Sequence, residues 1–133
     1  MIPDQSAPVA NSTANGSGDW VGSCHCGEAR ITLSRAPEQV THCNCSMCTK
    51  SGFRGVYLSG DDVRIESGPL AGYTRADLDV PFLTLWHCPR CGTITHWTPL
   101  TPPPHERMGV NSRMFDADRV AALPVREVDG AAW

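Results

Sequence analysis

The residues best suited to chemistry in this chain are its seven cysteines, which fall into three tight groups. The first is Cys24-His25-Cys26-Gly27 and the second Cys43-Asn44-Cys45-Ser46-Met47-Cys48. The third is Cys88-Pro89-Arg90-Cys91-Gly92. An odd number of cysteines in close groups, with no secretory signal ahead of them, points to metal binding rather than to a disulfide framework. A structural zinc site takes four soft ligands in a tetrahedron. A C-x-x-C-G turn supplies two of them, because Pro presets the turn and Gly lets the backbone fold back beneath the metal. Cys88 and Cys91 form such a turn; the competing reading is a redox dithiol or a pair of buried thiols.

Cys24 and Cys26 are only one residue apart. On a regular strand they would point to opposite faces, so both reach one metal only if the chain bends, and Gly27 permits the bend. Their natural partners are Cys88 and Cys91. Together these four thiolates close a shell and staple the beginning of the core to its end. Cys43, Cys45 and Cys48 are left over. Three protein ligands leave one tetrahedral position open, as in zinc sites that bind a substrate. Alternatively a histidine such as His42 or His96 closes that shell.

A zinc ion held by three thiolates is a poor Lewis acid for water but a good partner for another sulfur. It lowers the pKa of an incoming thiol and keeps it ionised near neutral pH. The expected chemistry is addition of a thiol to a small electrophile, or carbon–sulfur cleavage in reverse.

The elements that position these residues read as short strands broken by turns. Residues 29–33, 55–58, 63–66, 81–87, 92–97, 107–111 and 125–128 carry strand patterns. A helical turn is expected at 46–51, and a short helix at 116–123 with Asp116 as its cap. The fold class expected is mostly β: antiparallel sheets stapled by zinc, with little helix. Residues 1–18 read as a flexible leader and 19–133 as a single zinc-binding domain. Trp20, Trp86 and Trp97 are expected in the core.

At 133 residues, 41% of them hydrophobic, the chain is long enough for one modest core. Its net charge of −3 and lack of a Lys/Arg block give no electrostatic footprint for nucleic acid. No apolar run reaches the length of a membrane span. The first residues have neither the basic nor the apolar region of a signal peptide, so a cytoplasmic setting is expected.

The three cysteine groups in order resemble the glutathione-dependent formaldehyde-activating enzyme family, to which centromere protein V also belongs. Gly22 and Ser23 before the first group and Thr49-Lys50 after the second strengthen the likeness. It runs from about Gly22 to the C-terminus; Thr95-His96-Trp97 and residues 107–113 resemble a bacterial branch. The resemblance implies a β-tent of antiparallel sheets. It implies structural zinc on Cys24, Cys26, Cys88 and Cys91, and a second, catalytic zinc on Cys43, Cys45 and Cys48. It further implies a carbon–sulfur lyase activity, S-hydroxymethylglutathione synthesis from formaldehyde and glutathione. Partners are then a small-molecule thiol and an aldehyde. Ser51-Gly52-Phe53-Arg54-Gly55 departs from the small and aromatic residues that most members carry there.

Five further residues are candidates for substrate contact. Lys50 and Arg54 follow the open site and could attract a carboxylate. His96 could shuttle a proton. Asn111 and Arg113 enter through the resemblance alone. The rival to an enzyme is a non-catalytic zinc module that binds a partner or senses oxidants through Cys43, Cys45 and Cys48.

Overall fold

The computed structural model describes residues 20–100 and 107–132. The expected leader, the proline-rich 101–104 and Trp133 lie outside them. The elements in chain order are β1 Trp20–Ser23, β2 Ala29–Leu33, β3 Val40–Cys43, α1 Ser46–Ser51, β4 Gly55–Ser59 and β5 Val63–Ser67. They continue with β6 Ala71–Thr74, β7 Leu83–His87, β8 Ile94–Pro99, β9 Arg107–Asn111, α2 Ala117–Ala121 and β10 Val125–Val128. Short 3₁₀ turns cover Gly60–Asp62, Ser112–Met114 and Gly130–Ala132.

The fold is mostly β, with two short helices. Seven strands form one sheet in the order β10-β3-β4-β9-β8-β7-β6, and three form a second in the order β1-β2-β5. All pairings are antiparallel except β10 with β3, which run parallel with Val125 opposite Val40 and Val128 opposite Cys43. Helix α1 spans the expected 46–51, and α2 starts just after its expected cap. Asp116 accepts the backbone N–H groups of Asp118 and Arg119 at the start of α2. Strands β7 and β8 begin two residues later than their sequence patterns suggested, and β1, β3 and β6 are additional. Those three, WVGS, VTHC and AGYT, carry no clear strand pattern of their own, and long-range pairing makes them strands.

The two faces of the large sheet do different work. Val56, Leu58 and Val110 face Trp20, Ile31 and Leu33 of the small sheet and form the main core. The opposite face carries Leu83 and Leu85 together with Phe53 and the second cysteine group. One lateral row on this face reads Tyr57, Gly109, Trp97, Leu85, Tyr73 across five paired strands. Tyr57 and Trp97 meet edge to face over Gly109, ring centroids 5.8 Å apart. A Cβ on Gly109 would lie 2.7 Å from Cδ1 and Cε2 of Trp97, so the missing side chain is what lets the indole lie flat there. No helix among the described residues is long and apolar enough to cross a membrane.

Candidate metal centres

Strand β1 ends at Ser23, and the turn to β2 holds Cys24 and Cys26. The turn from β7 to β8 holds Cys88 and Cys91. Gly27 and Gly92 take positive φ angles of 85° and 83°, a region that glycine enters freely. Their N–H groups fold back onto the carbonyls of Cys24 and Cys88 at 3.2 and 2.8 Å. This bend defeats the alternation that would have separated Cys24 from Cys26. The four sulfurs gather within 4.8 Å of one another, with Cys26 Sγ 3.7 Å from Cys24 Sγ and 3.6 Å from Cys88 Sγ. The group joins the small sheet to the large one, and all seven cysteines are free thiols.

The second group forms where β3 runs into α1. Cys43 ends the strand, Cys45 is the N-cap of α1, and Cys48 lies in its first turn. Their three sulfurs also lie within 4.8 Å of one another, and all three residues are buried. Cys48 N–H points at Cys45 Sγ, and Cys45 N–H at Cys43 Sγ, both at 3.4 Å. Gly52, with φ 77°, ends the helix by bonding the Cys48 carbonyl. Among the described residues, no histidine, carboxylate or fourth cysteine joins this group.

The protonation of two thiols in each group shows what the groups need. Burial opposes the Cys91 thiolate, but the hydroxyl and N–H of Thr93, followed by Cys26 and Cys88, outweigh it and hold the thiol down at about 5. In the same group Cys26 is pushed up to about 12: the N–H of Glu28 favours its thiolate, but burial and the neighbouring thiols prevail. In the second group burial opposes the Cys45 thiolate as well, yet the Cys48 N–H, the Cys48 and Cys43 thiols and Arg75 bring its pKa below the ordinary value. Cys48 moves far up, through burial and then through Cys45 and Cys43. In each group, then, one sulfur is eased toward the thiolate while another is held from it, as like charges in close contact must be. A cation among them removes the conflict, so both donor sets fit a thiophilic metal ion.

Two features of the second group were not visible in the sequence. Arg75, just after β6, is buried with 7% of its side chain exposed. It grips Asp77 through Nε and Nη2 at 3.0 and 2.5 Å, and its Nη1 reaches Cys45 Sγ at 4.0 Å. An arginine in a polar loop thirty residues from the cysteine carries no local signal. The other feature is the C-terminal turn Gly130–Ala132, which lies over Cys43. Asn44 fastens it by donating to Asp129 Oδ1 and accepting the Ala131 N–H at 3.0 and 2.9 Å. A Cβ on Gly130 would overlap Cys43 Sγ.

The weaker candidates are dispersed. Lys50 is exposed in the last turn of α1. Arg54 lines a hollow with Val40, Val125 and α2; Val40 packs in the main core, on the face opposite the cysteines. Asn111 is buried and used by the backbone, donating to the Ile94 carbonyl and accepting the Arg113 N–H. Arg113 Nε holds the Gly52 carbonyl at 2.8 Å and so braces the end of α1. His42 pairs with Glu127 on the surface at 2.8 Å. His96 pairs across β8 and β7 with Trp86 and stacks on it, away from the three cysteines. Alternation decides this: Trp97 faces the cysteines, so its neighbour His96 faces away, while the register shift between Trp86 and His87, which pairs His87 with Ile94, leaves Ile94 on the cysteine side. Burial holds His96 down at about 4.

The sequence profile of the glutathione-dependent formaldehyde-activating enzyme family matches residues 19–128, which span all seven cysteines. The chain belongs to that family. Among solved structures, a protein of Rhodobacter sphaeroides superposes with a TM-score of 0.61 at 25% sequence identity. The likeness covers 80% of this chain and 99% of that one. No curated protein matches this sequence at a comparable level. Within the family frame, the four-cysteine group lies between the sheets and the three-cysteine group under an aromatic wall.

Proposed function

We propose that this chain is a zinc-dependent carbon–sulfur lyase that joins a glutathione-like thiol to formaldehyde or a related small electrophile, or splits the adduct. The observation that carries the reading is the set of three buried, convergent cysteine sulfurs with no fourth protein donor among the described residues. The family match supports the same chemistry.

Cys24, Cys26, Cys88 and Cys91 would hold a structural zinc, and Cys43, Cys45 and Cys48 a second. When bound there, the second zinc supplies an open position that favours sulfur and keeps a thiol ionised. The chain's own residues do the rest. Strand β3 and α1 hold the sulfurs in register, and the N–H groups of Cys45 and Cys48 support the charge on Cys43 and Cys45. Phe53, Leu83, Leu85 and Trp97 make the surroundings apolar and limit water. In the overall reaction the thiol sulfur bonds to the carbonyl carbon, and the thiol proton ends on the oxygen. The free thiols fit a reducing, cytoplasmic compartment.

The test is metal content and thiol response of freshly purified protein, compared with Cys45→Ser. The expected result is about two zinc ions per chain, with a zinc–sulfur signal that changes on adding glutathione. Cys45→Ser should stay folded and lose that response. One zinc per chain, indifferent to thiols, would instead favour the non-catalytic or redox module.

A further inference from the structure

Arg75 has a place in the second group that its local sequence does not announce. Its guanidinium presents three nitrogens in a rigid plane. Two are taken by Asp77, and the third, Nη1, faces Cys45 Sγ at 4.0 Å. Asp77 Oδ2 also accepts the Ser46 hydroxyl at 3.3 Å, at the first residue of α1. The carboxylate therefore aims the arginine and ties the loop after β6 to the helix that carries Cys45 and Cys48. Arg75 is 7% exposed, whereas the Asp77 side chain is 42% exposed. Water screens the aspartate charge far more than the arginine charge, so the cysteines feel a net positive neighbour.

The charge count explains why such a neighbour is useful. Three thiolates around a divalent cation carry a net charge of −1, and a fourth thiolate makes it −2. Accumulating negative charge in a buried, largely apolar site is unfavourable unless a cation lies close by. Among the described residues, Arg75 is the cationic side chain in contact with a sulfur of this group. A neutral fourth ligand would leave the charge at −1 and so gain less from Arg75 than a thiolate does.

We propose that Arg75, aimed by Asp77, selects the fourth ligand of the three-cysteine group by compensating the charge of an incoming thiolate. It is a positioning residue, and this role rests on the reading of the group as an open zinc site. It makes the site prefer an anionic sulfur to neutral nitrogen or oxygen ligands.

The experiment compares the full chain with Arg75→Met and Arg75→Lys, each loaded with cobalt(II) as a spectroscopic substitute for zinc. Metal per chain is measured first. Each protein is then titrated at one pH with 2-mercaptoethanol, glutathione and imidazole, reading the sulfur-to-cobalt charge-transfer band and the ligand-field bands. For Arg75→Met with both metals retained, both thiols should bind roughly tenfold to a hundredfold more weakly, with imidazole unchanged. Arg75→Lys keeps the charge but loses the fork that Asp77 aims, so its thiol binding should fall between those of the unmodified chain and Arg75→Met, with imidazole unchanged.

Equal weakening of thiols and imidazole in Arg75→Met would mean that the site has merely loosened, and would overturn the proposal. So would weakening of glutathione alone, which would place Arg75 on a substrate carboxylate. If Arg75→Met loses its second metal, Arg75→Lys decides. Retained thiol binding there supports charge compensation, and lost thiol binding in a folded, two-metal protein refutes it. An unmodified chain that holds two metals yet ignores thiols would overturn the open-site reading itself.

Discussion

Replacing Gly130 by alanine puts a methyl group against the second cysteine group. The new Cβ would overlap Cys43 Sγ and lie 3.2 Å from Cys45 Cβ. The Gly130–Ala132 turn cannot simply lift away, because Asn44 bonds it to Asp129 and Ala131. A free Cys43 thiol could escape by rotating about one bond. A Cys43 holding a metal cannot do so without giving up a ligand. Overpacking of this kind typically costs about 1–3 kcal/mol, and if all of it falls on the metal-bound state the second metal weakens by about 5- to 150-fold. The four-cysteine group takes no part in this contact and should keep its metal. The assay is chelator competition on the full chain with a colorimetric zinc indicator, following both ions in the alanine variant and the unmodified protein. The expected outcome is faster and more complete release of one ion per chain, with the other unchanged. Two ions held as tightly as in the unmodified protein would refute the reasoning, since Cys43 would then be free to turn aside.

Cys91→Ser should weaken the first metal and, with it, the link between the sheets; thermal unfolding should fall by much more than in Cys45→Ser, and equal effects would contradict the staple. Gly109→Ala should force Trp97 off the sheet and cost about 1–3 kcal/mol, read as a shifted tryptophan emission and a lower denaturant midpoint. His96 is buried and neutral, with its pKa lowered from 6.5 to about 4. The unfolded chain therefore binds more protons between those values, and stability is fully present above about pH 6.5 and falls as pH drops toward 4. The contribution is on the order of 3 kcal/mol. His96→Asn should flatten that part of the stability–pH curve without changing the metal count.

Much of the candidate site could be read from local spacing. A C-x-x-C-G turn is a property of five consecutive residues, and Gly92 takes the positive φ that such a turn needs. The split of seven cysteines into four and three followed from counting ligands, two pairs closing one shell and a triplet left over, and the sulfurs gather in those sets. The start of α2 was written in its cap, Asp116. Short-range chemistry of this kind survives into the fold because it depends on few distant contacts.

Tertiary structure decided the rest. Arg75 meets Cys45 because β6 and β7 pair at the far edge of the sheet, which brings the segment after β6 onto α1. Gly130 meets Cys43 because β10 returns parallel to β3, a pairing between residues 85 positions apart. His96 faces away from the cysteines because the pairing of β8 with β7 sets Trp97 on the cysteine side, and one added residue between His96 and Ile94 brings Ile94 to that side as well. The sequence by itself thus determined which atoms could bind a metal. Only the folded chain determined which charge faces those atoms, which turn covers them and which histidine lies beyond reach, because those depend on contacts between segments with no local signal for one another.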